Sequence, residues 1–342
     1  MYNFRNDYSE GAHPAVLAAL AAHNGEHVVG YGADQYCARA AQLIRDLCRC
    51  PGADVQFLIG GTQTNFTAVA AFLRPWEGVI CAHTGHVNGH EGGAVEATGH
   101  KLLQAQAGPD GKLTPELILP LVEEGRNEHV VLPRLVYISD ATENGAVYTL
   151  AELEALSSCC RANGLLLFLD GARLGAAFGA AGNDLTLPDL ARLTDAFYIG
   201  GTKNGALFGE ALVLLNDALK PDFRYNIKQR GGMLAKGWLL GIQFEQLMQG
   251  DRYVQLAAHA NAMALKLKAG IAALGYPFAC DSVTNQQFPI LPDGVVEALK
   301  PDFGFEFSSK PDAGHTCIRL VTSWATPEGN VDAFLAALKA LS

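Results

Sequence analysis

The chain has 342 residues, 49% of them hydrophobic, and a net charge of −10. That acidity, with no basic stripe anywhere along the chain, excludes a nucleic-acid-binding surface, which needs clustered Lys and Arg to meet phosphates. The opening MYNFRNDYSEG has no apolar run behind a basic patch, and no later stretch reaches the ~18 apolar residues of a membrane span, so a cytoplasmic, globular enzyme is expected, with one large domain and a smaller appendage.

In chain order, residues 13–24 (HPAVLAALAAHN) and 34–50 (DQYCARAAQLIRDLCRC) carry helical patterns, the second with Asp34 placed as N-cap. VQFLIG (55–60) is a short apolar strand that runs straight into GTQTNFTAVAAFL, a glycine turn opening a helix. Strand-like GVICA (78–82), KLLQAQ (101–106), RLVYISDA (134–141), LLLFLD (165–170) and AFYIGG (196–201) follow, alternating with helical 113–125 and 150–164. Apolar strands separated by helices predict an α/β fold whose mainly parallel sheet is covered on both faces. Past residue 245 the texture changes to a long helix (251–274), short strands at 286–291, 303–308 and 315–322, and a helix from Thr326. This predicts a large domain over 1–245, N-terminal segment included, and a small α+β domain over 246–342. The eight cysteines lie in apolar segments without C-x-x-C spacing, as expected of buried, reduced thiols rather than metal or redox pairs.

In a parallel sheet the ligand crevice lies beyond the carboxyl ends of the strands. Four polar turns occupy such places: Gly61-Thr62-Gln63, Thr142-Glu143-Asn144, Asp170-Gly171-Ala172-Arg173 and Thr202-Lys203-Asn204. An Asp ending the buried strand LLLFLD needs a cationic or hydrogen-bonding partner, although it is also placed to cap the next helix. A lysine in the glycine-rich turn IGGTKNGALFG, once desolvated, has a lowered pKa and can form an imine. GGTQTN presents free N–H groups and a helix dipole to phosphate, but lacks the G-x-x-x-x-G-K-[ST] pattern of triphosphate binding. His83, His86 and His90 invite a metal reading, yet no general-base Glu stands between the last two. Stacking on a flat cofactor, or contact with the reacting group, suits one of them better.

Together these segments resemble the threonine aldolase family, within the fold type I, aspartate-aminotransferase-like group of pyridoxal-phosphate enzymes. FRND, VGYG (29–32), GGTQTN (60–65), the H-x-x-x-x-E-G-G of 86–93, ATENG (141–145), DGARL (170–174), GGTKNGA (200–206), RGGM (230–233) and IRLVTSW (318–324) carry the likeness in order and spacing. The resemblance implies a PLP-dependent transferase-like large domain with a mainly parallel, seven-stranded sheet. It implies pyridoxal 5'-phosphate held as a Schiff base on Lys203, with Asp170 at the ring nitrogen, Arg173 at the phenolic oxygen, and Gly61, Thr62 and Thr202 among the cofactor contacts. His86 falls on the ring-stacking histidine, Arg319 on the arginine that takes the substrate carboxylate, and Asn6 near that carboxylate. Two positions depart from the pattern. Glu143 stands where many members have His, as in the branch of low-specificity threonine and phenylserine aldolases, and Leu234 replaces a phosphate-contacting arginine, leaving Arg230 or Lys236 to supply that charge.

The expected reaction is cleavage of a β-hydroxy-α-amino acid to glycine and an aldehyde, with His86, Glu143 or a water between them as base, in a homodimer or homotetramer that shares its sites. A β-eliminating lyase releasing pyruvate and ammonia is the nearest alternative. A metal hydrolase on the His cluster, or a non-catalytic phosphate-binding module, is more distant. No metal is expected.

Overall fold

Apolar runs of four to eight residues build the centre of the computed structural model, which describes residues 1–341. They are the strands Asp54–Leu58, Glu77–Ala82, Leu102–Ala105, Leu132–Ser139, Leu166–Asp170, Ala196–Gly200 and Glu210–Leu214. Across the sheet their order is 54–58, 210–214, 196–200, 166–170, 132–139, 77–82, 102–105. Every neighbouring pair is parallel except those made by Glu210–Leu214, which runs antiparallel to both of its neighbours. The mainly parallel sheet expected from the strand–helix alternation is therefore present, with the seven strands that the resemblance implies, and its one reversed strand follows a turn too short to hold a crossover helix.

Both faces are covered, which is why these strands read as continuous apolar runs rather than alternating ones. Ile80, Val136, Leu167, Leu169 and Phe197 face Ile44, Ile118 and Leu153 of the helices Gln35–Leu47, Pro115–Glu124 and Leu150–Ala162. Val79, Leu135, Phe168 and Tyr198 face Val69 and Ile227 on the other side. Asp34 caps Gln35–Leu47 as expected, its carboxylate accepting from the N–H groups of Tyr36 and Cys37 at 2.9 and 2.8 Å.

The C-terminal layer packs the helix Arg252–Ala273 and the helix Glu328–Ala340 on a small antiparallel sheet. Its strand His315–Val321 pairs with Ile290–Pro292, Glu306–Ser309 and Gln286–Gln287. The run QQFPIL, expected as one strand, is broken at Phe288 and Pro289 because proline has no N–H for the ladder. FGFEFS also divides, since Phe303–Gly304 pairs in parallel with Tyr2–Asn3. Phe4 then lies in one core with Leu267, Phe303, Ile318 and Phe334, so the chain begins on the C-terminal layer. The last helix starts at Glu328 rather than Thr326, because a residue preceding proline is pushed out of the helical region.

Gly171 is fixed by this packing. An added Cβ would lie 1.8 Å from the carbonyl oxygen of Tyr198, on the neighbouring strand. Gly171→Ala should force apart the strand that ends at Asp170 and the strand that leads into the Lys203 turn, and lower unfolding free energy by about 2–3 kcal/mol. Gly52→Ala, with open space around it, should stay within about 0.5 kcal/mol of the parent. Urea denaturation midpoints read both.

Candidate active site

Because the reversed strand is flanked on both sides by strands of the common direction, the carboxyl ends of six strands share one edge of the sheet. That edge carries Gly61 and Thr62, His86, Glu143, Asp170 and Arg173, and Thr202 and Lys203. The C-terminal sheet adds Arg319 from His315–Val321, and the N-terminal segment adds Asn6. Asn6, His86, His90, Glu143, Arg173, Lys203 and Arg319 line one cleft of about 590 Å³.

Asp170 is 3% exposed at the end of its strand. Its Oδ2 accepts from Tyr137 Oη at 2.5 Å and Asn65 Nδ2 at 2.9 Å, and its Oδ1 from the N–H of Ala172 at 2.9 Å. Burial pushes the carboxyl up, but the charge of His86 and these donors outweigh it and hold the group below the usual carboxylate range. Asn65 also donates to Glu91 Oε1 at 2.7 Å, and that oxygen lies 2.8 Å from Nδ1 of His86. A chain of contacts thus orients the half-exposed His86 ring from the buried Asp170. Asn65, Glu91 and Tyr137 were not assigned roles from sequence. Asn65 was legible only as the last letter of GGTQTN, on the buried face of its helix.

Lys203 makes no hydrogen bond or ion pair among the described residues. Burial and the nearby charge of Arg173 lower its pKa, with Asp7, Asp170 and Glu210 pulling the other way. The Arg173 fork is taken by Asp7, at 2.9 and 3.1 Å, and Asp7 also accepts from Asn285 at 2.9 Å. Asp7 is 1% exposed; burial raises its pKa, but Arg173 and Lys203 outweigh that and bring it below the ordinary carboxylate value. This pair ties the N-terminal segment to the sheet edge and, through Asn285, to the C-terminal layer. The FRND segment was the one signal for it.

Glu143 Oε1 accepts from the backbone N–H of His86 at 2.9 Å and from Ser139 Oγ at 2.7 Å. Burial pushes its carboxyl up, against the pull of Ser139. His90 lines the same cleft with its ring 5.6 Å from that of His86, whereas the His83 ring accepts from the Ala107 N–H at 3.2 Å outside it. Among the described residues no three His, Cys, Asp or Glu side chains are grouped to hold a metal. Arg319 reaches only the Arg5 carbonyl, at 3.4 Å, and its buried Nε has no partner. Thr202 Oγ1 accepts from the Gly209 N–H at 2.9 Å, and its hydroxyl meets the Glu210 carboxyl. Arg230 turns back onto Asn226 and Gln229 of its own helix, and the exposed Lys236 is likewise absent from the cleft lining.

These features fit a phosphorylated aldehyde with a protonated ring nitrogen. The N–H groups of Gly61, Thr62 and Gln63 open a twelve-residue helix with no side-chain cap, so they are free for phosphate. An unpartnered, desolvated amine suits an aldehyde, and Asp170 Oδ1 retains a lone pair for a ring N–H.

Residues 3–292 match the family model described as beta-eliminating lyase. The chain is 35% identical over 328 residues to the low specificity L-threonine aldolase of Pseudomonas aeruginosa, covering 94% of this chain and 93% of that one. It is similar to a solved Leishmania major threonine aldolase, with 52% identity, a TM-score of 0.98, and coverage of 100% and 99% of the two chains. A double mutant of Thermus thermophilus aspartate aminotransferase shares the fold alone, with a TM-score of 0.76 at 17% identity over 100% of this chain and 92% of that one.

Replacing Asp7 by Asn should leave the Arg173 guanidinium buried and unpaired, at a cost of about 3–5 kcal/mol at pH 7. Because the folded-state pKa of Asp7 is depressed, its contribution is complete above the unfolded value and lost as pH falls through the folded one. The gap between parent and D7N in thermal unfolding should therefore close below about pH 4.

Proposed function

The chain belongs to the threonine aldolase group of the beta-eliminating lyase family, and from that premise we propose that it cleaves a β-hydroxy-α-amino acid, of the threonine or phenylserine type, to glycine and an aldehyde. The observation that carries this reading is the single cleft in which Lys203, Arg319, His86 and Glu143 meet. The cofactor is pyridoxal 5'-phosphate, on the fold the chain shares with the aspartate aminotransferases. When bound, this group draws electrons away from the amino acid's α-carbon.

Lys203 would hold the cofactor covalently as a Schiff base. Asp170 would keep the ring nitrogen protonated, His86 would stack on the ring, Gly61 and Thr62 would receive the phosphate, and Thr202 would contact the cofactor. Arg173, held flat by Asp7, would turn one of its three unused N–H groups toward the phenolic oxygen. Arg319, whose fork is almost unused, would take the substrate carboxylate beside Asn6 and so fix the bond that breaks.

At the β-hydroxyl we assign the proton to Glu143. Ser139 and the His86 N–H orient one of its oxygens, leaving the other for substrate, and the carboxyl's raised pKa brings it closer to working pH. A reducing, cytoplasmic location fits cysteines that are all free. A homodimer or homotetramer fits the large apolar side chains Val29, Tyr31, Ile59 and Tyr225 left exposed.

With threonine, glycine and acetaldehyde should accumulate in equal amounts; pyruvate and ammonia without glycine would reject the reading. Arg319→Ala should lose about 1.5–3 kcal/mol of substrate binding, or roughly 10- to 150-fold in KM, while cofactor content is kept. For Glu143→Gln, steady-state rates across pH should show loss of the limb that rises with pH as the carboxyl ionises. A variant with parental kcat would remove Glu143 from the proton path.

A further inference from the structure

Glu210 has no part in the scheme above, yet it is 3% exposed and stands at the same edge of the sheet. The reversal of Glu210–Leu214 is the reason: its first residue pairs with Gly200 on one side and Leu58 on the other, the last residues of two strands that end at the site. Glu210 Oε2 accepts from the N–H of Gly201 at 3.0 Å, two residues before Lys203. The same turn is held from its other side, where Tyr253 Oη donates to the Gly200 carbonyl at 2.9 Å.

We propose that Glu210 is a positioning residue for Lys203: its carboxyl fixes the turn through Gly201 and biases whether the lysine nitrogen carries a proton. This rests on Lys203 being the cofactor-bearing lysine. The ionisable groups around Glu210 are Lys203 from the turn, Tyr198 from the adjoining strand, Asp170 from the strand beyond it, and Tyr253 from the helix Arg252–Ala273. Lys203 is the one cation among them. Burial pushes Glu210 up to about 8, against the pull of the Thr202 hydroxyl, Lys203 and the Gly201 N–H. The sign follows directly. Below that value the carboxyl is neutral and adds nothing to the pull of Asp7 and Asp170 on the lysine nitrogen; above it, the new negative charge further favours the protonated nitrogen.

The test is the pH titration of the holoenzyme's visible absorbance from about pH 6 to 10. Glu210→Gln keeps an acceptor for the Gly201 N–H, so the turn should hold and cofactor stoichiometry should match the parent. Its band should lose the proton at a pH lower by about one unit or more. A purely structural role would leave that midpoint unmoved, and an unmoved midpoint with full cofactor overturns the proposal. Should E210Q not fold, infrared difference spectra of the parent read the same group. A buried carboxyl band that vanishes near pH 8 together with the visible change supports the proposal; a carboxyl already ionised at about pH 6 overturns it. If no visible band forms in the parent at all, the reading of Lys203 fails instead.

Discussion

A carboxylate buried at the end of an apolar strand is costly unless donors and positive charge converge on it, and Asp170 imposes that requirement on everything around it. Tyr137, Asn65 and the Ala172 N–H meet its oxygens, and His86 supplies the favourable charge. Those partners come from three different elements, so satisfying one residue fixes a strand, a helix and the short segment that bears His86. What remains unmet is one direction on Oδ1, which a protonated ring nitrogen would fill.

The same logic explains the second buried pair. Arg173 follows Asp170 by three residues and cannot be left alone at that depth, and Asp7 answers it from the far end of the sequence. The N-terminal segment is therefore drawn across the sheet edge, bringing Asn6 and Tyr8 to the cleft beside Arg319. A contact needed for charge balance thus closes one side of the substrate's path. The two layers meet there because Phe4 anchors the same segment in the C-terminal core.

Much of this was legible from strand ends. Asp170, Lys203, Glu143 and the Gly61 turn each follow an apolar run directly, and the rule that ligands bind beyond such ends brought them together before any geometry was known. Asp7 was not legible as a partner of Arg173, since 166 residues separate them and no local pattern links an N-terminal aspartate to a strand end. Asn65 was hidden inside a helix, where a polar residue among threonines and alanines gives no periodic signal. Glu210 was missed because it opens a strand instead of following one, and only the antiparallel register shows that it returns to the site. The irregular C-terminal strands failed as single runs for a local reason: Pro289 removes the ladder donor that QQFPIL would need at its centre.

The central claim is that the amine at position 203 carries the cofactor, and peptide mapping after borohydride reduction of the holoenzyme tests it most directly. The reduced, phosphopyridoxyl mass should be found on the peptide containing Lys203, and Lys203→Ala should yield protein with no such adduct. An adduct on another lysine, or a parent protein that gains neither visible absorbance nor an adduct when pyridoxal phosphate is added, would contradict the account.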